Sequence, residues 1–252
     1  MKTLTKTTGL LAALTIMLFV TSCKKNEGTS EDISAGDSLV ISSPIVENPT
    51  PPPPSDTYSH VQFINANPSL GPLTLYIAGM KSGAGLNLYG EERGYENTTP
   101  SVQRESVVIK SATGSTVKST SSGFYVGNYY TLFYVGEKSN QQALLYNDNR
   151  PAAPAAGAAL VKFINAAPAA PLLDVVINNK AVITRQGFTG CTGYVSVAAG
   201  TYTINFNAYN TTNVVASIPA AVLQSGKVYT VYTRDDVDKG KVVVVGDIYT
   251  VE

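Results

Sequence analysis

The chain has 252 residues, with 18 basic and 18 acidic side chains, one histidine, two cysteines, 15 tyrosines and no tryptophan. That length leaves room for one or two domains of ordinary size. An even charge balance excludes the basic stripe of a nucleic-acid-binding protein and a basic membrane-binding face, and the abundance of Tyr, Val and Thr favours strands over helices.

Lys2 and Lys6 open the chain, an apolar run extends from about Gly9 to Val20, and Leu18-Phe19-Val20-Thr21-Ser22-Cys23 closes it. A charged start, a short apolar stretch and small residues before a cut site make a secretory signal. The run is shorter than the roughly 20 residues a spanning helix needs. A cysteine in place of a third small residue resembles the lipobox of bacterial lipoproteins. That resemblance implies removal of residues 1–22 by cleavage between Ser22 and Cys23, and lipid, palmitate included, on Cys23. The plainer alternative is an ordinary signal peptide or signal anchor with Cys23 incidental. Loss of Lys2 and Lys6 leaves 16 basic and 18 acidic groups, a formal charge of −2. With Cys23 acylated, Cys191 is the only thiol left and no intrachain disulfide can form. Lys24 after Cys23, in place of the retention aspartate of enterobacterial lipoproteins, directs the protein to the outer membrane. Lys24-Lys25-Asn26-Glu27 is only loosely similar to the surface-export signal of Bacteroidota, so the periplasmic or surface face stays open.

Residues 23–56 read as the lipidated cysteine and a disordered tether, polar and acidic first and then proline-rich through Pro49 and Pro51-Pro52-Pro53-Pro54. The segment has too little apolar surface to fold. As a coil it reaches about 30 Å, and fully stretched about 100 Å, which holds the remainder of the chain away from a bilayer. Within it, Asp37-Ser38-Leu39 resembles the O-glycosylation site of Bacteroidota, which makes Ser38 a candidate glycan carrier.

Beyond the tether lies an internal repeat. Val61-Gln62-Phe63-Ile64-Asn65-Ala66-Asn67-Pro68 returns as Val161-Lys162-Phe163-Ile164-Asn165-Ala166-Ala167-Pro168, and Gln62 to Lys162 swaps one polar residue for another. Gly127-Asn128-Tyr129-Tyr130-Thr131-Leu132 is echoed by Gly226-Lys227-Val228-Tyr229-Thr230-Val231. Two matches in one order at nearly one offset imply a duplicated domain, 57–149 and 159–252, with an Ala/Pro-rich linker over 150–158. Each copy reads as about seven short strands with frequent turn signals, an all-β chain of two tandem immunoglobulin-like antiparallel β-sandwiches. Thr201–Asn207 alternates with a period of two, and Ala199-Gly200 suggests a hairpin with Tyr194–Val197. Asn178-Asn179 separates Leu173–Ile177 from Lys180–Ile183. Tyr130 and Tyr229 hold equivalent places and suit tyrosine corners, their hydroxyls bonded back to the main chain.

The second octamer, Leu173-Asp174-Val175-Val176-Ile177, Gly193-Tyr194-Val195-Ser196-Val197 and Ala199-Gly200-Thr201-Tyr202-Thr203-Ile204 together resemble domain of unknown function family 4397. This is an immunoglobulin-like module of secreted and envelope-anchored bacterial proteins, and the lipobox and tether are similar to those of Bacteroidota lipoproteins. Residues 159–250 carry the resemblance well. The first copy carries it at 58–77 and 124–135, has Thr74 where the second has Asp174, and is lengthened from Gly83-Ala84-Gly85 to Gly94. The resemblance implies fold and address but no activity.

Searched for catalytic constellations, the chain yields fragments. Ser115-Thr116-Val117-Lys118 has the Ser-x-x-Lys spacing of serine acyl-enzymes but sits in a loop-like stretch. His60 stands alone on the first strand with its side chain expected in solvent, so Cys191 has no histidine to activate it and reads as a small half-buried residue. Asp235-Asp236-Val237-Asp238 lacks the spacing of a calcium loop and reads as acidic turn residues before Lys239-Gly240. No catalytic residue, metal or cofactor is therefore expected. Tyr89 and Tyr95, in the glycine-rich excursion with no counterpart in the second copy, are the candidate ligand-loop residues, able to stack on a sugar. The expectation is a non-enzymatic envelope lipoprotein, bound to the membrane through its lipid, acting as a binding or adhesion module for a glycan or protein. The alternative is a structural spacer or accessory subunit of an outer-membrane complex.

Overall fold

The computed structural model describes residues 57–137, 140–148 and 151–251. The signal peptide, Ser22, Cys23, the tether and Ser38 lie outside them. The described residues form two tandem β-sandwiches with sixteen strands among them, eight in each copy where the spacing predicted about seven. The first copy contains β1 (Ser59–Ala66), β2 (Leu73–Ile77), β3 (Met80–Asn87), β4 (Glu96–Thr98), β5 (Ser101–Ser111), β6 (Thr116–Phe124), β7 (Tyr129–Val135) and β8 (Gln142–Asn147). The second contains β9 (Ala158–Asn165), β10 (Leu173–Ile177), β11 (Lys180–Gln186), β12 (Val195–Ala198), β13 (Gly200–Ala208), β14 (Val214–Leu223), β15 (Val228–Asp238) and β16 (Lys241–Val251).

Both copies share one topology. The first has sheets β4-β1-β7-β8 and β3-β2-β5-β6, and the second has β12-β9-β15-β16 and β11-β10-β13-β14. The pairing is antiparallel except for β1 with β7 and β9 with β15, which run parallel. A parallel pair needs a long crossover, and here that crossover is the body of the sandwich itself. The repeated octamer thus forms the central first strand of each copy.

Local chemistry sets the turns. Asn178 and Asn179 have φ of 52° and 60°, the type I′ hairpin geometry that asparagine tolerates, and Ala78-Gly79 does the same work in the first copy. The supposed hairpin between Tyr194–Val197 and Thr201–Asn207 is not formed. β12 pairs with β9 while β13 pairs with β10 and β14, so Ala199 carries the chain from one sheet to the other. Two adjacent period-two segments do not reveal whether they face each other or switch sheets. Tyr130 and Tyr229 are tyrosine corners, each hydroxyl accepting from a backbone N–H five residues upstream, Tyr125 N at 3.1 Å and Gln224 N at 3.0 Å.

Each sandwich has its own core. Val61, Phe63, Leu75, Ile109, Leu132 and Leu145 are among those filling the first, and Val161, Phe163, Val175, Ile204, Phe206 and Val231 are among those filling the second. A third cluster lies between the copies, where β1, β7 and β8 face β9, β15 and β16. Equivalent residues come from both sides: Ile64 and Ile164, Ala66 and Ala166, Tyr146 and Tyr249, Phe133 and Tyr232. Phe133 and Tyr232 meet ring to ring at 5.0 Å. The first strands are therefore buried on both faces, and the two sandwiches share a continuous joint. Fully burying side chains of this size stabilises by about 1.5–3 kcal/mol each, so the joint is a major part of the fold.

Candidate functional site

Charge and polarity concentrate in two places, both at the joint. The first is sealed. Lys162, one residue from core-facing Val161 and Phe163 on β9, points the other way, toward the first copy, and its side chain is 1% exposed. Its Nζ pairs with Oδ1 of Asp148, which follows β8 and is fully buried. The second carboxylate oxygen accepts from Thr131 Oγ1 and, at 2.8 Å, from the Tyr95 hydroxyl. Thr131 is also 3.0 Å from the Tyr249 hydroxyl, which crosses from the second copy, and the Lys162 ammonium lies 5.3 Å from the centre of the Tyr194 ring. Burial pushes the Lys162 ammonium down, but the Asp148 carboxylate more than reverses this and holds its pKa above the usual lysine value. Burial pushes the Tyr95 and Tyr249 phenols well up, and the carboxylate beside them adds to it. The group is a buried ion pair ringed by hydroxyl donors. Being out of reach of solvent, it can hold the copies in register but cannot act on a ligand.

The second place is open. The connection 88–95 of the first copy lies against β15 and β16 of the second. Arg234 stacks over the Tyr89 ring, 4.6 Å from its centroid, and donates to the Tyr89 hydroxyl, which in turn donates to the carbonyl of Asp235. Arg234 Nε binds Asp247 Oδ2 at 2.7 Å, with Asp236 further off at 3.7 Å. Glu92 has an exposed outer side, but its Oε1 turns inward and accepts from the Tyr232 hydroxyl at 2.8 Å. Burial of that carboxyl, with Asp247 nearby, raises its pKa to about 7 against the opposing pull of the Tyr232 hydroxyl. Gly90, Glu92, Ile218, Gly246, Asp247 and Ile248 line an open depression of about 320 Å3 here. It offers carboxylates beside two isoleucines, a setting for a polar group with an apolar stem.

The structure thus relocates several expected residues. Tyr89 and Tyr95 do not form an exposed sugar-stacking platform; both hydroxyls are spent on the joint, one across it and one on Asp148. The excursion that holds them has a counterpart after all, since β3 and β11 lead to β4 and β12 through connections of nearly the same place and length, with Tyr194 where Tyr95 stands. Gln62 and Lys162 are buried. His60 is half-buried and stacks on Tyr129 at 4.3 Å instead of standing in solvent. Asp235 and Asp236 belong to β15, not to the turn, and the Asp235 carboxylate accepts from Ala169 N. Lys239-Gly240 is the turn, as the spacing implied. Ser115 lies in the β5–β6 connection, while the Lys118 ammonium reaches the carbonyl of Gln141 at 3.4 Å. Among the described residues no group of three or more His, Cys, Asp or Glu could hold a metal ion. Cys191 is half-buried as expected.

Lys162 and Asp148 are the joint residues that sequence reasoning missed. A signal existed: in Leu160-Val161-Lys162-Phe163-Ile164 the apolar residues fall on both faces of the strand, the mark of a strand covered on both sides.

The sequence profile of the domain of unknown function DUF4397 matches residues 59–176 and again 159–250. No curated protein matches the chain.

Proposed function

Because this chain belongs to the DUF4397 family and carries its domain twice, we propose that it is a non-enzymatic, lipid-anchored envelope protein of the Bacteroidota type. In this reading residues 1–22 are removed, Cys23 carries the lipid, palmitate included, and the tether holds the sandwiches off the outer membrane. The sandwiches act as a binding or adhesion module for a glycan or protein. The observation that carries it is the joint: a shared apolar cluster and a buried ion pair fix the two copies to each other, so surfaces from both form one rigid face. The open depression beside Glu92 and Asp247 lies on that face and draws lining from both copies. Rigid scaffolds presenting such surfaces suit recognition. The same rigidity favours the second reading, a spacer or accessory subunit of an envelope complex.

Protease shaving of intact cells, followed by blotting for the sandwiches, is the first test. Loss of the band with a periplasmic control intact puts the sandwiches outside, and binding to a glycan or host-protein array then supports adhesion. Protection of the band contradicts adhesion, and stoichiometric crosslinking to envelope proteins then supports the subunit reading.

A further inference from the structure

The second copy has a longer edge hairpin than the first. In the first copy β7 ends at Val135 and β8 begins at Gln142, whereas the equivalent β15 and β16 run on to Asp238 and from Lys241, joined by Lys239-Gly240. Beyond Asp236 this hairpin leaves the sandwich. Val237 and Val242 pair across it at 44% and 43% exposure, and every residue from Asp238 to Lys241 is exposed. Among the described residues β16 is the last strand of its sheet and is hydrogen-bonded to β15 alone. The two-residue turn closes on the Asp238–Lys241 pair. Ladder bonds to β15 then fall on Lys241, Val243 and Val245, and the N–H and C=O groups of Val242 and Val244 point outward.

Proteins usually blunt such an edge with proline, a bulge, an inward charge or shortness. β14, an edge of the opposite sheet, has Pro219 and a left-handed Ala220 at φ 53°. The outward stretch of β16 has neither, and presents Val242-Val243-Val244-Val245 without a charge. We propose that this edge pairs, antiparallel, with the same edge of a second copy of this chain. Charge selects that occupant. Lys239 and Lys241 precede the valines, and Asp247 follows them beside Asp236 with Arg234 as their shared cation, so antiparallel pairing of two β16 strands brings the cations of each toward the net acidic end of the other and sets valine against valine. A parallel arrangement would put cations beside cations. The contact is self-complementary and closes on a two-fold axis, giving a dimer and not a filament. It stands on the β16 edge alone and is independent of the adhesion reading.

The test is sedimentation equilibrium of the mature chain, residues 23–252 with Cys23→Ser to remove any acyl group, from low to high micromolar concentration. The expected result is a reversible dimer. Val244→Pro should abolish it. Lys239→Glu with Lys241→Glu should raise the dimer dissociation constant about tenfold through like charges brought face to face at both ends, with the urea midpoint of the variant read beside it because Lys241 stands opposite Asp238 in the hairpin. A wild-type chain that stays monomeric throughout overturns the proposal. So does a dimer that both variants leave unchanged.

Discussion

Replacing Lys162 with methionine is the most informative single change at the joint. Methionine keeps the length and the apolar stem but removes the charge, leaving Asp148 fully buried with only the Thr131 and Tyr95 hydroxyls as donors. Breaking one partner out of a buried pair costs about 3–5 kcal/mol, because the remaining charge is uncompensated. For a folded unit of this size that is a fall in Tm of about 6–20 °C. Lys162→Met combined with Asp148→Asn removes both charges and keeps an acceptor for Thr131 and Tyr95, and most of the loss should return. Urea unfolding of wild type, both single variants and the double variant measures all of this. A Lys162→Met protein within about 0.5 kcal/mol of wild type, or a double variant as unstable as the single, would refute a sealed ion pair at the joint.

Tyr130→Phe and Tyr229→Phe each lose one corner hydrogen bond and should destabilise by about 0.5–1.5 kcal/mol, read as a lower urea midpoint at constant slope. Gly246→Ala would place a Cβ 2.2 Å from Phe206 Cε2, so it should cost about 1–3 kcal/mol, whereas Ala at Gly71, which has open space, should cost little. Glu92 has its folded pKa raised from 4.5 to about 7. Its contribution is fully present below the unfolded value and is lost as pH rises through 7, and Glu92→Gln should flatten the pH–stability profile between those values.

What could be read from the residues was mostly local. The repeated octamer, the Asn178-Asn179 hairpin, the Lys239-Gly240 turn and the paired tyrosine corners each depend on a few neighbouring side chains whose stereochemistry is stated by their types. The joint depends on residues far apart. Asp148 sits at the end of one copy, Lys162 in the first strand of the next, and neither shows from its neighbours that the other will neutralise it. The buried face was half-legible, since Ile64, Ala66 and Phe133 alternate with residues that already fill the first core. A strand apolar on both sides says that it is covered, not by what. Tyr89 and Tyr95 were misplaced for the same reason: a glycine-rich connection predicts a surface loop, and only the partner sandwich turns it inward.

The measurement that bears most directly on the central claim of a lipid-anchored envelope module is the intact mass of the protein isolated from its native membrane. The account predicts a chain beginning at Cys23 with acyl mass on that residue and a Ser38 glycan, and a Cys23→Ser variant that loses the acyl mass and leaves the membrane fraction. A chain that starts at Cys23 without acyl mass, or one that keeps residues 1–22, would contradict it.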